Sequence, residues 1–214
     1  MAIFNTVYGG EPKWRPWANT MIYYKFDWNL NDSSWNNRNW TAWWTITYWT
    51  NYVDLTNWYI ILPNSPTTYE NERTFCMWFK INKSSGAWFL LDISSSNGMI
   101  IRLEVNSSNN FNCHSDMPSY QPQELSSRDT NRHLYTVTFN SSNINYYLDG
   151  TLKWSKNPRN SSYTFLSWRI WTVHNGSYVN WLQQYVWVYI LENKARTAQE
   201  ISEYYNQTKW NYWL

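Results

Sequence analysis

The sequence predicts an all-β chain, a two-sheet antiparallel sandwich with one short helix near its C-terminus. Short segments rich in Ile, Val, Tyr, Phe and Thr recur from Met21 onward, separated by Asn, Ser, Pro and Gly. The alternation of strands and helices that marks a parallel sheet is missing. The predicted strands are residues 21–27, 42–48, 58–62, 73–82, 87–93, 98–105, 134–140, 144–149, 168–173 and 185–191.

Local signals support individual elements. Residues 134–139 alternate cleanly between apolar and polar side chains, and a four-residue link joins them to residues 144–148, which predicts a hairpin. Asp149 and Gly150 predict a second tight turn. Thr197 and Glu200 have the spacing of a capping box, which predicts a helix over 197–206.

The remaining segments predict the organisation of the chain. Residues 1–20 contain Gly and Pro without usable periodicity, so they are interpreted as an N-terminal arm, and residues 21–214 as one domain. Residues 106–133 form the longest polar stretch and are predicted to be a loop, as are residues 155–164.

Composition excludes several classes of protein. The chain has 214 residues and a formal net charge of +2. This charge is too small to produce the positive electrostatic potential that attracts nucleic acid. No apolar run reaches the roughly 18 residues of a membrane span. Cys76 and Cys113 are the only cysteines, too few for a disulfide framework or a Cys-rich zinc site. The first residues show no secretory signal peptide.

Tryptophan and glycine depart from ordinary usage in opposite directions, with 18 Trp and 6 Gly. Many Trp stand among Asp, Asn and Ser, where glycine is usual, because a turn with positive φ accepts glycine and resists bulky residues. We expect a reassigned UGA codon, read as Gly in the source and translated here as Trp; the alternative is a Trp-rich, sugar-stacking surface. The positions expected to be Gly are Trp28, Trp35, Trp40, Trp49, Trp58, Trp171 and Trp181, whereas the candidates for genuine Trp are Trp78, Trp88 and one of Trp43 and Trp44.

An ordered set of motifs resembles a known family. The motifs occupy residues 23–27, 29–34, 74–80, 133–139, 146–150, 189–191 and 200–206. In this order they resemble the concanavalin A-like jelly-roll superfamily, in particular laminin G-like domains of bacterial and phage proteins. The resemblance implies a jelly roll and a glycine at position 28. It also implies an acidic pair before the last strand, but residues 180–185 contain no carboxylate, so calcium binding lacks support in the sequence.

The residues do not suggest catalysis. Retaining glycoside hydrolysis needs two carboxylates about 5–5.5 Å apart, which residues two or four apart on one strand would supply. Glu70 and Glu72 come closest, but they lie in a polar link, where a solvated pair is the simpler interpretation. His114 and Asp116 suggest a dyad or a metal ligand without any partner cluster. We therefore expect no enzyme, no catalytic residues and no cofactor, with calcium left open.

Binding is the better-supported class. Jelly-roll domains hold sugars at the sandwich rim, where Asn and Asp form hydrogen bonds and aromatic rings stack on the sugar. The expected carbohydrate-binding residues are Asp116, Tyr120, Asn175, Tyr178 and Asn180, from the 106–133 and 174–181 segments. The alternative is that these residues only pack and shape turns.

The sequence thus predicts a non-catalytic carbohydrate-binding or adhesion module. Its expected partner is a glycan or cell-surface polysaccharide, in an extracellular, cell-surface or virion location, either as a homo-oligomer or within a larger assembly. Neither nucleic acid nor membrane is an expected partner. A structural fibre or decoration domain without sugar specificity is the alternative, and a glycoside hydrolase is a third hypothesis.

Overall fold

The computed structural model describes residues 19–26, 31–34, 36, 39, 47–49, 52–55, 60–62, 72–83, 88–95, 100–115, 122–158, 165–174, 177–178 and 183–212. Its strands are β1 (Thr20–Tyr24), β2 (Thr47–Trp49), β3 (Tyr52–Asp54), β4 (Ile60–Leu62), β5 (Arg73–Lys83), β6 (Trp88–Ser95), β7 (Ile100–Val105), β8 (Asn110–Ser115), β9 (Gln123–Ser127), β10 (Arg132–Phe139), β11 (Ile144–Leu148), β12 (Thr151–Lys156), β13 (Phe165–His174), β14 (Ser177–Tyr178) and β15 (Gln183–Glu192). The helix α1 (Ala198–Thr208) is followed by a 3-10 turn, Lys209–Tyr212.

The strands form two antiparallel sheets, as the sequence predicts. An eight-stranded sheet has the order β12-β11-β10-β5-β15-β3-β2, and β1 also pairs with β15. A seven-stranded sheet has the order β14-β13-β6-β7-β8-β9, and β4 pairs with β13. Two strands therefore pair with the same edge of β15: β3 pairs with residues 185–186, and β1 pairs with residues 189–192.

The core lies between the two sheets. Along β5, alternate residues 75, 77, 79 and 81 point into it, since successive strand side chains face opposite ways. The rings of Phe79 and Phe111 meet edge to face across the sheets at 5.5 Å. Two tyrosines add hydrogen bonds between the sheets: the hydroxyl of Tyr146 donates to the His114 carbonyl at 3.1 Å, and that of Tyr135 donates to the Arg102 carbonyl at 3.5 Å. The core and these bonds fix how the sheets stack.

The helix α1 covers part of the outer face of the eight-stranded sheet. Its buried residues Ile201 and Tyr204 pack on the outward side chains of β5 and β15. Trp78, which the sequence marks as a candidate genuine tryptophan, is fully buried there, stacks on Tyr205 at 5.7 Å, and donates to the Thr208 hydroxyl at 3.3 Å. The predicted capping box is confirmed, because Thr197 and Glu200 exchange both hydrogen bonds.

The predicted turn at Asp149 and Gly150 is also confirmed, and it shows why one of the few glycines is required. Both residues have positive φ, 53° and 75°, which is the geometry of a type I′ hairpin turn. A Cβ on Gly150 would lie 2.9 Å from the Cβ of Tyr205 on α1. The turn therefore depends on glycine twice, for its backbone conformation and for the close approach of the helix.

Some predictions about loops and turns are wrong. Residues 106–133 are not one loop, because β8 and β9 lie within them and pair with β7 and with each other. Thr20 belongs to β1 rather than to an arm, and β12 extends to Lys156. The backbone of Trp49 is in β2, not in a turn. Trp171 lies in β13, as the predicted strand 168–173 requires, at a shift in register between Ile170 and Val173. The other predicted glycine positions lie outside the described residues.

None of the helices in the described ranges combines the length and the apolar character needed to cross a bilayer.

Candidate functional site

Four half-buried side chains form a row across the outer face of the eight-stranded sheet, beside α1. Arg132 pairs with Lys80, Lys80 with Tyr185, and Tyr185 with Asp54. Directly paired residues on antiparallel strands share a face, so the four side chains project on the same side. We call this set the outer row. With neighbouring strands about 4.8 Å apart, it spans about 14 Å.

An aromatic cluster adjoins the outer row. The ring of Tyr52 lies 4.9 Å from that of Tyr185 and 5.2 Å from that of Trp187, in edge-on and tilted geometries. The guanidinium of Arg132 lies 4.4 Å from the centre of the Trp187 ring, which is a cation–π contact. Trp187 is only 3% exposed, whereas both tyrosines are half-buried. The cluster therefore offers two tyrosine rings supported by a buried tryptophan.

The charges of the row act on Tyr52. Burial and the nearby Asp54 carboxylate raise the pKa of the Tyr52 phenol, while Arg132 opposes them. Burial lowers the pKa of Arg132, and Tyr52 opposes that shift. Within the described residues, Lys80 forms no ion pair with an acidic side chain. The row thus carries two cations and one carboxylate beside rings that stay neutral.

A β-bulge in β15 lies beside this cluster. Strict alternation along β15 would put Tyr185, Trp187 and Tyr189 on one face. The register shifts between Val186 and Val188, so Trp187 and Val188 both face outward and Tyr189 turns into the core. The members of the outer row come from four strands, so no local sequence pattern indicates it. The one local signal for an aromatic surface is the alternate spacing of Tyr185, Trp187 and Tyr189.

A second polar group lies at the start of β10. His133 is 7% exposed, and its Nδ1 lies 2.7 Å from Asp149 Oδ2 and its Nε2 lies 2.8 Å from Asp129 Oδ1. Burial alone would lower the pKa of His133, but the two carboxylates raise it above 6.5. Burial would raise the pKa of Asp129, but hydrogen bonds from Asn131 and His133 lower it below 3.8. The arrangement is an ion-paired clamp between the β9–β10 segment and the β11–β12 turn.

A third polar group lies on the outer face of the seven-stranded sheet. Glu104 and His114 are 1% and 4% exposed, and Glu104 Oε1 lies 2.8 Å from His114 Nε2. That is ion-pair distance, although the angle is not that of a hydrogen bond. Asn112 is 4% exposed, and its Oδ1 has no hydrogen-bond partner among the described residues. These side chains are too buried to contact a large ligand from solvent.

Most of the expected rim residues are not among the residues that the structure describes. Asp116, Tyr120, Asn175 and Asn180 lie outside the described residues, and of Tyr178 the structure describes the backbone, in β14. Their roles stay a prediction.

The strands that flank these residues are described, and they leave the seven-stranded sheet at opposite ends. β8 finishes at Ser115, opposite Ile101 at the start of β7. His174, at the end of β13, follows Val173, which pairs with Phe89 beside the other end of β7. Ser115 and His174 are thus the last described residues before Asp116 and Asn175, at opposite ends of one sheet.

The outer row lies near the same end as His174. Phe79 and His133 contact Phe111 there, 5.5 and 5.2 Å away between ring centres. Lys80 and Arg132 are the chain neighbours of Phe79 and His133, and β15 begins two residues before Tyr185. Residues 175–182 therefore connect to strands at the end of the sandwich that carries the outer row.

In the part of the chain that the structure describes, no group of three or more His, Cys, Asp or Glu side chains is arranged to hold a metal ion. Both cysteines are free and buried, and burial raises the pKa of each thiol far above its ordinary value.

Two antiparallel sheets packed face to face, with a helix on one outer face, define a concanavalin A-like jelly-roll domain. The chain belongs to the laminin G family of the concanavalin A-like lectin/glucanases superfamily, whose model matches residues 54–202. Among curated protein sequences, none matches the chain.

Solved structures show the same fold at low sequence identity. The ligand binding domain of botulinum neurotoxin serotype D, solved with N-acetylneuraminic acid, is 15% identical with a TM-score of 0.64, over 88% of this chain and 50% of that one. A structure of botulinum neurotoxin type C is 14% identical with a TM-score of 0.67, over 88% of this chain and 51% of that one. The cell entry of that toxin is described as dependent upon interaction with two ganglioside molecules. Trypanosoma rangeli sialidase is 12% identical with a TM-score of 0.70, over 91% and 33%. The chain thus spans about half the length of the toxin domains and a third of the sialidase.

Proposed function

We propose that the chain is a non-catalytic carbohydrate-binding or adhesion module. The observation that carries the proposal is the outer row with its aromatic cluster. Tyr52 and Tyr185 present half-buried rings for the apolar face of a sugar, and Arg132, Lys80 and Asp54 flank them with hydrogen-bonding groups. The solved structures that share the fold include domains described with sialic acid and gangliosides, which supports a saccharide as ligand.

The predicted rim residues extend this proposal. Asn175, Tyr178 and Asn180 belong to the segment that leads into β15, so they are proposed to contact the same ligand as the outer row. Asp116 and Tyr120 follow β8 at the other end of the sheet, so they are proposed to form a separate contact. A module of this kind would act outside the cell, on a cell surface or a virion, as the resemblance to bacterial and phage domains implies.

Binding is favoured over hydrolysis because the described carboxylates that approach one another share a cationic partner. Asp129 and Asp149 both contact His133. Glu192 and Glu200 both contact Arg196, at 2.6 and 2.9 Å. These contacts lower the pKa of Asp129 and of Glu200, which is the opposite of what a general acid at neutral pH needs.

Titration against saccharides tests the proposal. Tyr52→Ala and Asn180→Ala should each weaken binding by about five- to hundred-fold, since losing one ring stack or hydrogen-bond cluster costs roughly 1–3 kcal/mol. Tyr120→Ala, in the segment that follows β8 in the chain, should leave this site intact, and Lys153→Ala on the exposed edge strand is the matched surface control. Circular dichroism verifies that each variant folds. If no glycan on a broad array binds the purified chain, the proposal is wrong and a structural fibre domain is favoured.

We further propose that the source gene carries UGA codons, read as glycine, at the positions occupied by Trp28, Trp35, Trp40, Trp49, Trp58, Trp171 and Trp181. The shift in register around Trp171 supports this, because β-bulges often place glycine in a strand. Peptide mass spectrometry of native material should find glycine masses at these seven sites and a tryptophan mass at Trp78. Tryptophan masses at most of the seven sites would falsify the idea.

A further inference from the structure

We propose that the outer row selects acidic saccharides, in which a carboxylate or sulfate group binds Arg132 and Lys80 while the sugar ring lies on Tyr185 and Tyr52. This inference rests on the proposed function and narrows its ligand class.

The order of the row gives the ligand a direction. Arg132 and Lys80 are on adjacent strands, Tyr185 is on the next strand and Asp54 on the one after it. At about 4.8 Å per strand, the two cations are close enough to share one anionic group, and Asp54 lies about 10 Å beyond Lys80. The Arg132 guanidinium reaches across β5 to 4.4 Å from the Trp187 ring centre on β15. An acidic group that contacts both Arg132 and Lys80 therefore fits beside Trp187, between β5 and β15, and sugar hydroxyls fit at the β3 side, where the Asp54 carboxylate accepts hydrogen bonds.

The charge around the row favours an anion. Two cations outnumber the one carboxylate within it. More cations lie on rings elsewhere on the outer face: Lys25 is 5.4 Å from the Tyr23 ring centre, and Lys209 is 5.5 Å from that of Tyr205. A planar guanidinium also matches the geometry of a carboxylate or sulfate with two parallel hydrogen bonds.

Single-stranded nucleic acid is the other anionic ligand that aromatic rings and cations can bind. The row is less suited to it, since Asp54 would face the phosphate backbone at one end and the chain has a net charge of only +2. An acidic saccharide places its charge beside the two cations and neutral hydroxyls beside Asp54, which matches the observed arrangement.

The test compares acidic polysaccharides with their own neutral derivatives. The folded chain is titrated with polygalacturonate, alginate and hyaluronate, and with the carboxyl-reduced form of each, and isothermal titration calorimetry measures the affinity. At least one acidic form should bind at least tenfold more tightly than its reduced form. Raising salt from 50 to 500 mM should reduce that difference, because salt screens exposed charges.

Variants assign the selectivity to the row. Lys80→Gln and Arg132→Gln should each weaken binding of the acidic ligand about tenfold. Each should also reduce the difference in affinity between the acidic and the reduced forms. Arg132→Lys retains the charge and should restore part of the affinity. Lys153→Gln removes the same charge from an exposed site on β12 and should change neither value.

The outcomes separate this inference from the proposed function. If reduced and acidic forms bind equally, or only neutral glycans bind, the charge selection is wrong and carbohydrate binding stands. If Lys153→Gln has the same effect as Lys80→Gln, the row is not the selective site. If no saccharide binds, or a single-stranded oligonucleotide binds more tightly than every saccharide, both proposals are wrong.

Discussion

At the residue scale, His133 is held between two acidic residues that are distant in sequence from one another. Asp129 precedes it by four residues, and Asp149 follows it by sixteen. Asp149 also accepts a hydrogen bond from the Leu134 backbone at 2.9 Å, so the same carboxylate ties the hairpin turn to β10. A buried imidazole with a carboxylate on each nitrogen is stabilised in its charged form, in which both nitrogens donate.

This clamp makes stability depend on pH. The pKa of His133 in the folded protein lies above its ordinary value of 6.5. Its contribution is therefore fully present below about pH 6.5 and is lost as pH rises through the folded-state pKa. Replacing it with Gln should cost about 1.5–3 kcal/mol at pH 5.5, as expected for hydrogen bonds to charged groups.

Urea denaturation of the wild type and His133→Gln between pH 5.5 and 9 measures this effect. The difference in the free energy of unfolding should shrink as pH rises. Thr130→Ala, at an exposed position nearby, should show a difference that does not change with pH. A constant difference for His133→Gln would mean that the pKa of His133 is the same in the folded and the unfolded protein.

At the element scale, α1 is tied to the sheet by its first turn as well as by its apolar face. Arg196 contacts Glu192 on β15 and Glu200 on the helix, and Lys194 contacts Glu200 at 2.7 Å. Burial would raise the pKa of Glu200, but these cations and the Thr197 backbone lower it to about 2. The carboxylate thus supports folding at neutral pH, and its contribution is lost only as pH falls from about 4.5 toward 2.

Removal of the cap should destabilise the whole domain. Thr197→Ala leaves the Glu200 backbone N–H without its side-chain acceptor, which costs about 1 kcal/mol. Gln199→Ala is the matched control, because it removes an exposed contact with Glu203 one turn along the same helix, worth about 0.2–0.5 kcal/mol. Equal costs for the two variants in chemical denaturation would show that the cap is not important.

At the scale of the whole molecule, the first strand closes the sheet beside the last one. β1 pairs with β15 from Thr20, opposite Glu192, to Tyr24, opposite Tyr189. Ile22 and Tyr24 are each 1% exposed in the common core. The N-terminal end of the domain is therefore part of its hydrophobic core, whereas residues 1–18 are proposed to be a separate arm.

Two truncations test this boundary. Deleting residues 1–18 should leave Tm within about 2 °C of the full chain, since β1 is retained. Deleting residues 1–24 removes Ile22 and Tyr24 from the core, at about 1.5–3 kcal/mol each, and should lower Tm by at least about 6 °C. Thermal denaturation followed by circular dichroism measures both. A large drop for the shorter deletion would place the arm within the folded domain.

The sequence by itself determined the elements whose signals are local. The alternation in β10, the Asp149–Gly150 turn and the Thr197 capping box each depend on residues within a few positions of one another. β8 and β9 were missed because their polar Asn and Ser residues give no periodicity. β8 pairs with β7, and β9 pairs with β8, through backbone hydrogen bonds that do not depend on side-chain type.

Only the tertiary structure decided the candidate site. Asp54, Lys80, Arg132 and Tyr185 are separated by up to 131 positions, and the register of three strand pairs brings them into one row. A shift of one residue in any of these pairs would turn side chains to the opposite face. The bulge that turns Val188 outward and Tyr189 into the core likewise depends on how β15 fits against β5. Strand order and register arise from packing of the whole core, so no short window of sequence contains them.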